Sequence, residues 1–360
     1  MALRVVHVVE PFASGVIDFI ATIINMDAVH KHTVVHGTRL WVDSENGVRS
    51  KFCDQTKFIR WKYANRRINP FFDLFALITI TKVLLKGRYD VIHLHSAKAG
   101  ILGRIASLFV TTKKVIYTPH GAPFIRKDIS KIEKQVFIAL ERIGSYLPGQ
   151  IICCSKSEME VYHRFNIKAK YINNGVSVEQ ARSDLKPTNE VVRIGFSGIL
   201  TEQKNPCEFN ELASSFSGDN RVEFIWIGDG NLKKYITSSN IIVTGWVSKS
   251  EVKKYLETID IYLSCSLWEG LPIAVLEAMS LGNPLVLRNS IGNKDLVKPG
   301  LNGYLYDTKH EALNSLLALI EDKHHRQKMG KESARICLTS FSEKDTFEKY
   351  MIEYASSSQR

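Results

Sequence analysis

The sequence predicts an α/β protein built as two Rossmann-like domains in series, and three observations carry that expectation. Short β-branched runs alternate with longer amphipathic stretches, the pattern of parallel βαβ units. The alternation lapses from Ser177 to Glu190, a stretch with little to bury, and restarts with a new first strand. The length, 360 residues, is more than one hydrophobic core ordinarily holds.

In the first half Arg4–Val9 reads as a strand, with a helix from Gly15 onward. Further strands follow at Val34–Val35, Phe58–Trp61, Val91–His95, Lys114–Thr118 and Ile151–Ser155, with helices over 71–86, 97–109, 130–147 and 157–165. The second half opens on the strand Val192–Ser197. It continues through Val222–Ile227, Ile241–Thr244, Ile261–Ser264 and Pro284–Leu287, with helices near 205–215, 249–257, 272–281 and 310–328. The expected domains are 1–178 and 191–340, joined by a linker over 179–190. A ligand is expected between them, at the carboxyl ends of the strands.

Composition narrows the class. With 44% hydrophobic and 24% charged residues, the chain is neither disordered nor collagen-like. Its six cysteines show no Cys-x-x-Cys spacing, so they are expected as buried thiols in a reducing compartment. Met1–Val9 reads as a strand rather than a secretory leader, which puts the expected location in the cytoplasm. The most apolar window, Phe71–Leu85, is broken by Asp73, Thr79, Thr81 and Lys82 and is too short and polar to span a bilayer.

Charge is unevenly distributed. Residues 1–180 hold 26 Lys+Arg against 14 Asp+Glu, a net +12, whereas residues 181–360 hold 22 against 23, a net −1. The basic half is expected to face an anionic partner. Lys57, Arg60, Lys62, Arg66 and Arg67 interleave with Phe58, Trp61 and Tyr63 just before the apolar Pro70–Leu85 segment, which favours an anionic membrane surface. Lys98, Arg126 and Lys127 are further cations offered to the acceptor or the membrane. No nucleic-acid-binding signature is present, so no nucleic acid is expected.

The most informative segment is Trp268-Glu269-Gly270-Leu271-Pro272-Ile273, running on to Glu277-Ala278-Met279. It follows a strand and opens a helix, and Pro272 suits a first helical turn. Amide groups at such a helix start, with the helix dipole, favour a phosphate. Read from the residues alone, Glu269 fits a cap as well as it fits a ligand to sugar hydroxyls, and Glu277 fits a solvated position equally well. A second segment, Phe196 to Asn205, places Gly198 in a tight turn and Lys204 within reach of a diphosphate.

Taken together, the motifs resemble glycosyltransferase family 4. They are Gly-x-Leu-x-x-x-Lys-Asn at 198–205, Gly228-Asp229-Gly230, Thr244-Gly245-Trp246, Glu269-Gly270-Leu271-Pro272 with Glu277-Ala278, and Gly282-Asn283-Pro284-Leu285-Val286. In the first half Asp90-Val91-Ile92-His93-Leu94-His95, Pro119-His120-Gly121, Cys154-Ser155-Lys156-Ser157-Glu158 and Asn174-Gly175-Val176 agree. Two positions depart from the family pattern. Ile199 stands where an arginine is usual, and a Gly-Gly pair after the first strand is represented only by Ser14-Gly15.

The resemblance implies a GT-B fold, two Rossmann-like domains facing each other across a cleft, with a helix over 341–360 returning to the first domain. It implies retaining transfer of a sugar from a nucleotide sugar, a UDP-hexose or UDP-N-acetylhexosamine, with no metal and no cofactor. The implied acceptor is a polyprenyl-diphosphate-linked saccharide in surface polysaccharide assembly, at the inner face of the membrane. By the same resemblance Lys204 and the amides around Gly270, Leu271, Pro272 and Ile273 hold the diphosphate, and Glu277 binds the ribose. Glu269 orients the sugar, Gly245 and Trp246 lie beside the base, Gly15 and Gly198 shape the donor loops, and His120 approaches the reacting carbon. Two other readings share these residues: a GT-B sugar epimerase, and a catalytically inactive binding subunit, the latter motivated by Ile199.

Overall fold

In a computed structural model of the chain, residues 2–12, 14–37, 45–65, 69–177 and 191–356 are described. The expected linker and the cations Arg66 and Arg67 lie outside the described residues. The chain forms two compact units, one of Met1–Ile125, Ile129–Asn174 and Thr346–Arg360, the other of Arg126–Asp128 and Gly175–Asp345.

The first unit runs β1 (Arg4–Val9), α1 (Ser14–Met26), β2 (Lys31–His36), α2 (Glu45–Arg49), β3 (Lys57–Arg60), α3 (Pro70–Gly87), β4 (Val91–His95), α4 (Ala97–Ser107), β5 (Lys114–Thr118), α5 (Lys131–Gly144), β6 (Gln150–Cys153), α6 (Lys156–Arg164) and β7 (Lys170–Tyr171). Its seven strands are parallel, in the order β3-β2-β1-β4-β5-β6-β7. Local chemistry sets the helix starts. Asn69 accepts amide bonds from Phe71 and Phe72 ahead of Pro70, and Ser130 forms a reciprocal capping box with Glu133.

The second unit runs β8 (Val192–Ser197), α7 (Pro206–Ser214), β9 (Val222–Ile227), β10 (Ile241–Val243), α8 (Lys249–Thr258), β11 (Ile261–Ser264), α9 (Ile273–Ser280), β12 (Leu285–Arg288), β13 (Gly303–Tyr306), α10 (Lys309–Glu321) and α11 (Lys323–Ser340). The six-strand order is β10-β9-β8-β11-β12-β13, again parallel. Strand order reverses between β1 and β4 in one sheet and between β8 and β11 in the other. In open α/β sheets ligands bind at the carboxyl ends of the strands flanking such a reversal.

Helix α12 (Glu343–Ala355) brings Tyr350 and Tyr354 into the core of the first unit, with Val5, Val9 and Ile20. Thr346 Oγ1 donates to Asn173 O at 2.8 Å, and Lys170 pairs with Glu353.

Several elements differ from the sequence reading. The single helix expected over 310–328 is two, because Asp322 adopts φ −105°, ψ 94° and caps α11 by accepting from His325 N at 2.8 Å. Pro272 is the N-cap of α9 rather than its first helical residue, with ψ 114°. Short α2, β7 and β13 are additional. Cys53 and Cys207 are exposed, while the other four thiols are buried as expected. Among the described residues no helix is long and apolar enough to cross a membrane.

Candidate functional site

In the second unit, four loops meet at the carboxyl ends of β8, β9, β10 and β11. Gly198 leads the first; its N–H donates to Ile227 O, and its carbonyl accepts from Trp226 Nε1 at 2.9 Å. Gly228 sits at φ +136°, where a Cβ would lie 2.4 Å from Gly198 O, so only glycine lets the β8 and β9 loops approach. Gly228 N donates to Thr244 Oγ1, and the turn carries Gly245 and the exposed Trp246 beside it.

Lys204 and Glu269, 65 positions apart, meet across the reversal point: Lys204 Nζ lies 2.5 Å from Glu269 Oε1. Gln203 donates to Glu269 Oε2 at 3.1 Å and to Trp268 O at 2.9 Å, and its own carbonyl accepts from Leu267 N. The loop 267–269 is thus locked to the Lys204 loop by side chain and backbone together. Gly292, at φ +84°, supports the same loop from the other side; a Cβ there would stand 2.8 Å from Gly270 O. Neither Gln203 nor Gly292 was singled out from sequence, although Gln203 lies inside the lysine motif.

Gly270, Leu271, Pro272 and Ile273 form the entry to α9, whose N-terminus supplies a positive dipole end at this point. Glu277, one residue past its midpoint, is half-buried, and Lys249 Nζ approaches it at 3.9 Å. The hydroxyl of Tyr262 reports both carboxylates. Burial raises its pKa, and the charges of Glu269 and Glu277 push it further in the same direction. Lys204 is thus paired with Glu269, and Glu269 and Glu277 both lie within electrostatic reach of the buried Tyr262 phenol.

In the first unit His120 follows β5 in the left-handed region, at φ +55°. The strain is held by Gly121 N donating to the buried Glu158 Oε1 at 2.8 Å, while Cys154 N donates to Oε2 of the same carboxylate. Desolvation drops the His120 pKa to about 3, so the ring is neutral. Its Nε2 lies 3.0 Å from His95 Nδ1 and its Nδ1 3.4 Å from Cys154 Sγ. Ser96, after β4, has φ +70°, ψ 165°, and its buried hydroxyl finds no partner in the protein. This strained residue was missed in the sequence because Ser96 belongs to no motif.

A row of imidazoles lies behind His120. His95 Nε2 is 3.1 Å from His7 Nδ1, His7 Nε2 is 3.1 Å from His32 Nδ1, and His32 Nε2 is 3.0 Å from Asp27 Oδ2. Burial opposes ionisation of Asp27, but hydrogen bonds from His32 and from the amides of His30 and Val29 outweigh it and hold the carboxyl well below its usual range. Burial lowers the pKa of His7, His93 and His95. Ring nitrogens of His7, His93 and His95 also come within 4.8 Å of one another, the one metal-compatible grouping among the described residues.

The basic residues separate into two kinds. Lys98 Nζ is paired with Asp73 of α3 at 2.5 Å, and Arg126 forms a two-pronged bond to Asp128. Arg60, Lys62 and Lys127 are exposed. Gly15 is exposed in the first turn of α1.

Comparison with known proteins places this geometry. The profile described as Glycosyltransferase Family 4 matches residues 26–180, and that described as Glycosyl transferases group 1 matches residues 178–335. An Escherichia coli UDP-Gal:alpha-D-GlcNAc-diphosphoundecaprenol alpha-1,3-galactosyltransferase is 32% identical over 287 residues, 72% of this chain and 73% of its own. The Escherichia coli O-antigen biosynthesis glycosyltransferase WbnH is 28% identical over 285 residues, 76% of this chain and 80% of its own. Among solved structures, Anabaena HepE in complex with UDP and glucose superposes with a TM-score of 0.78 at 15% identity, over 98% of this chain and 100% of that one. With two parallel sheets and these matches, the chain belongs to glycosyltransferase family 4 and has the GT-B fold.

Proposed function

We propose that the protein moves a hexose or N-acetylhexosamine from a UDP-sugar to a polyprenyl-diphosphate-linked saccharide, with retention at the anomeric carbon, in assembly of a surface polysaccharide. The observation that carries the reading is the Lys204–Glu269 pair at the β8/β11 reversal, braced by Gln203. In the absence of donor the two charges neutralise each other. An arriving diphosphate competes for the ammonium, and Glu269, still held by Gln203, is left to accept sugar hydroxyls. Lys204 and the α9 N-terminus then oppose the charge that grows on the departing diphosphate, which is how such a site works without a metal. Glu277 accepts the ribose hydroxyls.

The lipid-linked acceptor and the UDP donor are supported by the galactosyltransferase and the UDP-bound structure to which the chain is similar. Attachment to an anionic bilayer is supported by α3. Phe71, Phe72, Leu74, Phe75 and Ile78 are exposed along it, with Lys62, Lys82 and Lys86 exposed nearby.

Incubation with radiolabelled UDP-sugars and membrane lipid extract tests the reading. Label in the lipid fraction, released with the α configuration from an α-linked donor, is expected. Free epimerised nucleotide sugar without labelled lipid overturns it in favour of an epimerase. Absence of UDP binding by calorimetry overturns it in favour of a non-catalytic subunit.

A further inference from the structure

We propose that Asp27, His32, His7 and His95 form a directional imidazole chain that fixes the tautomer of His120, and that these four are positioning residues for it. The inference rests on the reading of His120 as a donor-site residue.

The argument is one of donors and acceptors. A neutral imidazole has one N–H and one lone pair, so in an unbroken file each ring must donate at one end and accept at the other. One fixed terminus therefore sets every ring. Asp27 is that terminus. Its side chain is almost wholly buried, it accepts from the amides of Val29 and His30, and the His30 ring meets it through Nδ1 at 2.7 Å. An ionised carboxylate can only accept, so His32 carries its proton on Nε2. For a neutral His32, its Nδ1 then accepts from His7 Nε2–H, and His7 Nδ1 from His95 Nε2–H, whereas a doubly protonated His32 would donate at both ends and reverse the file. His95 Nδ1 accepts from His120 Nε2–H. His120 Nδ1 is left as a lone pair facing the Cys154 thiol, which burial keeps protonated and able to donate.

Geometry fits a file of rings meeting edge to edge rather than a chance cluster, with centroids 5.3 Å apart at each step. Ring planes of His7 and His32 are inclined by 28°, those of His7 and His95 by 16°, and those of His95 and His120 by 24°. The four rings come from β2, β1, β4 and the turn after β5, which are neighbours in the sheet. His93 stands aside from the file, with its nitrogens satisfied by Tyr354 Oη and Thr118 Oγ1. A metal at His7, His93 and His95 would use three rings and leave His32 and Asp27 unexplained. The file accounts for both nitrogens of His7, His32 and His95, and Tyr354 and Thr118 account for those of His93.

Long-range proton–nitrogen NMR on ¹⁵N-histidine-labelled protein reads each tautomer directly. In the native chain His120, His95, His7 and His32 are expected as single Nε2–H forms. His7→Phe removes the middle ring, and His120 should then become a mixture of both tautomers while His36, bonded to Gly37 O outside the file, does not change. Should that variant not fold, Asp27→Asn tests the same point, because its amide can donate and permits the reversed file. An Nδ1–H form of His120 in the native protein overturns the proposal. So does an unaltered Nε2–H form in the folded variant, or one equivalent of zinc bound by His7, His93 and His95. Labelled-lipid formation is a separate readout. A fixed His120 tautomer in a protein that transfers no sugar upholds the file and removes the donor-site reading.

Discussion

At the residue scale the site depends on the difference between Lys204 and Glu277. On the proposed reading the ammonium of Lys204 faces a charge that grows as the diphosphate departs, so Lys204→Ala should lower kcat as well as raise donor KM. On the same reading Glu277 meets ribose hydroxyls that do not change during the reaction. Glu277→Gln should therefore weaken donor binding by about 1–3 kcal/mol, read as KM, with kcat nearly constant. Steady-state kinetics with a UDP-sugar checks both, and kcat and KM for Lys204→Ala within about twofold of wild type would remove Lys204 from the diphosphate site. Ile199, where the family pattern usually has arginine, sharpens the first expectation, because it leaves Lys204 as the cation of the 198–205 loop.

At the element scale the loops are as informative as the strands. Gly292 props the 269–270 loop from a conformation that L side chains rarely adopt, so Gly292→Ala should displace Glu269, raise donor KM and cost about 1–3 kcal/mol of stability. Urea unfolding beside donor titration separates the two effects. Strands β1, β4, β5, β8, β9 and β11 were legible in the sequence because they are almost wholly buried and read as continuous apolar runs bounded by turn residues. By contrast, β7 is two residues long, and β13 opens on a glycine at a sheet edge. The break at Asp322 was hidden because amphipathic spacing continues across it, and only the capping carboxylate marks it. Motif residues on one loop, such as Glu269 to Ile273, were likewise visible. The histidine file was not, since its contacts join positions 25 and 88 apart through sheet order that no local pattern encodes.

On the scale of the whole molecule, the buried rings tie stability to acidity. His7, His93, His95 and His120 stay neutral when folded, at pKa values below the ordinary 6.5, so the unfolded chain binds more protons. Their contribution is complete above about pH 6.5 and is lost as pH falls below it, for His120 down to its pKa of about 3, at about 1.4 kcal/mol per pH unit for each ring that differs in protonation between the two states. Raised carboxyls at Glu141 and Glu208 act in the opposite sense but are fewer. Urea midpoints should fall steeply between pH 7 and 5, and a flat profile would contradict the neutral rings. The charge asymmetry makes a separate prediction. Reversing Lys57, Arg60 and Lys62 to glutamate should abolish co-sedimentation with phosphatidylserine vesicles, at about 1 kcal/mol for each cation lost. Helix α12 carries a consequence for biosynthesis. The sheet of the first unit is translated before the second unit, yet Tyr350 and Tyr354, which complete its core, are translated only after it. Throughout that interval the nascent first sheet lacks the apolar contacts of Tyr350 and Tyr354, so a chain cut before α12 should expose an apolar seat that binds a hydrophobic dye.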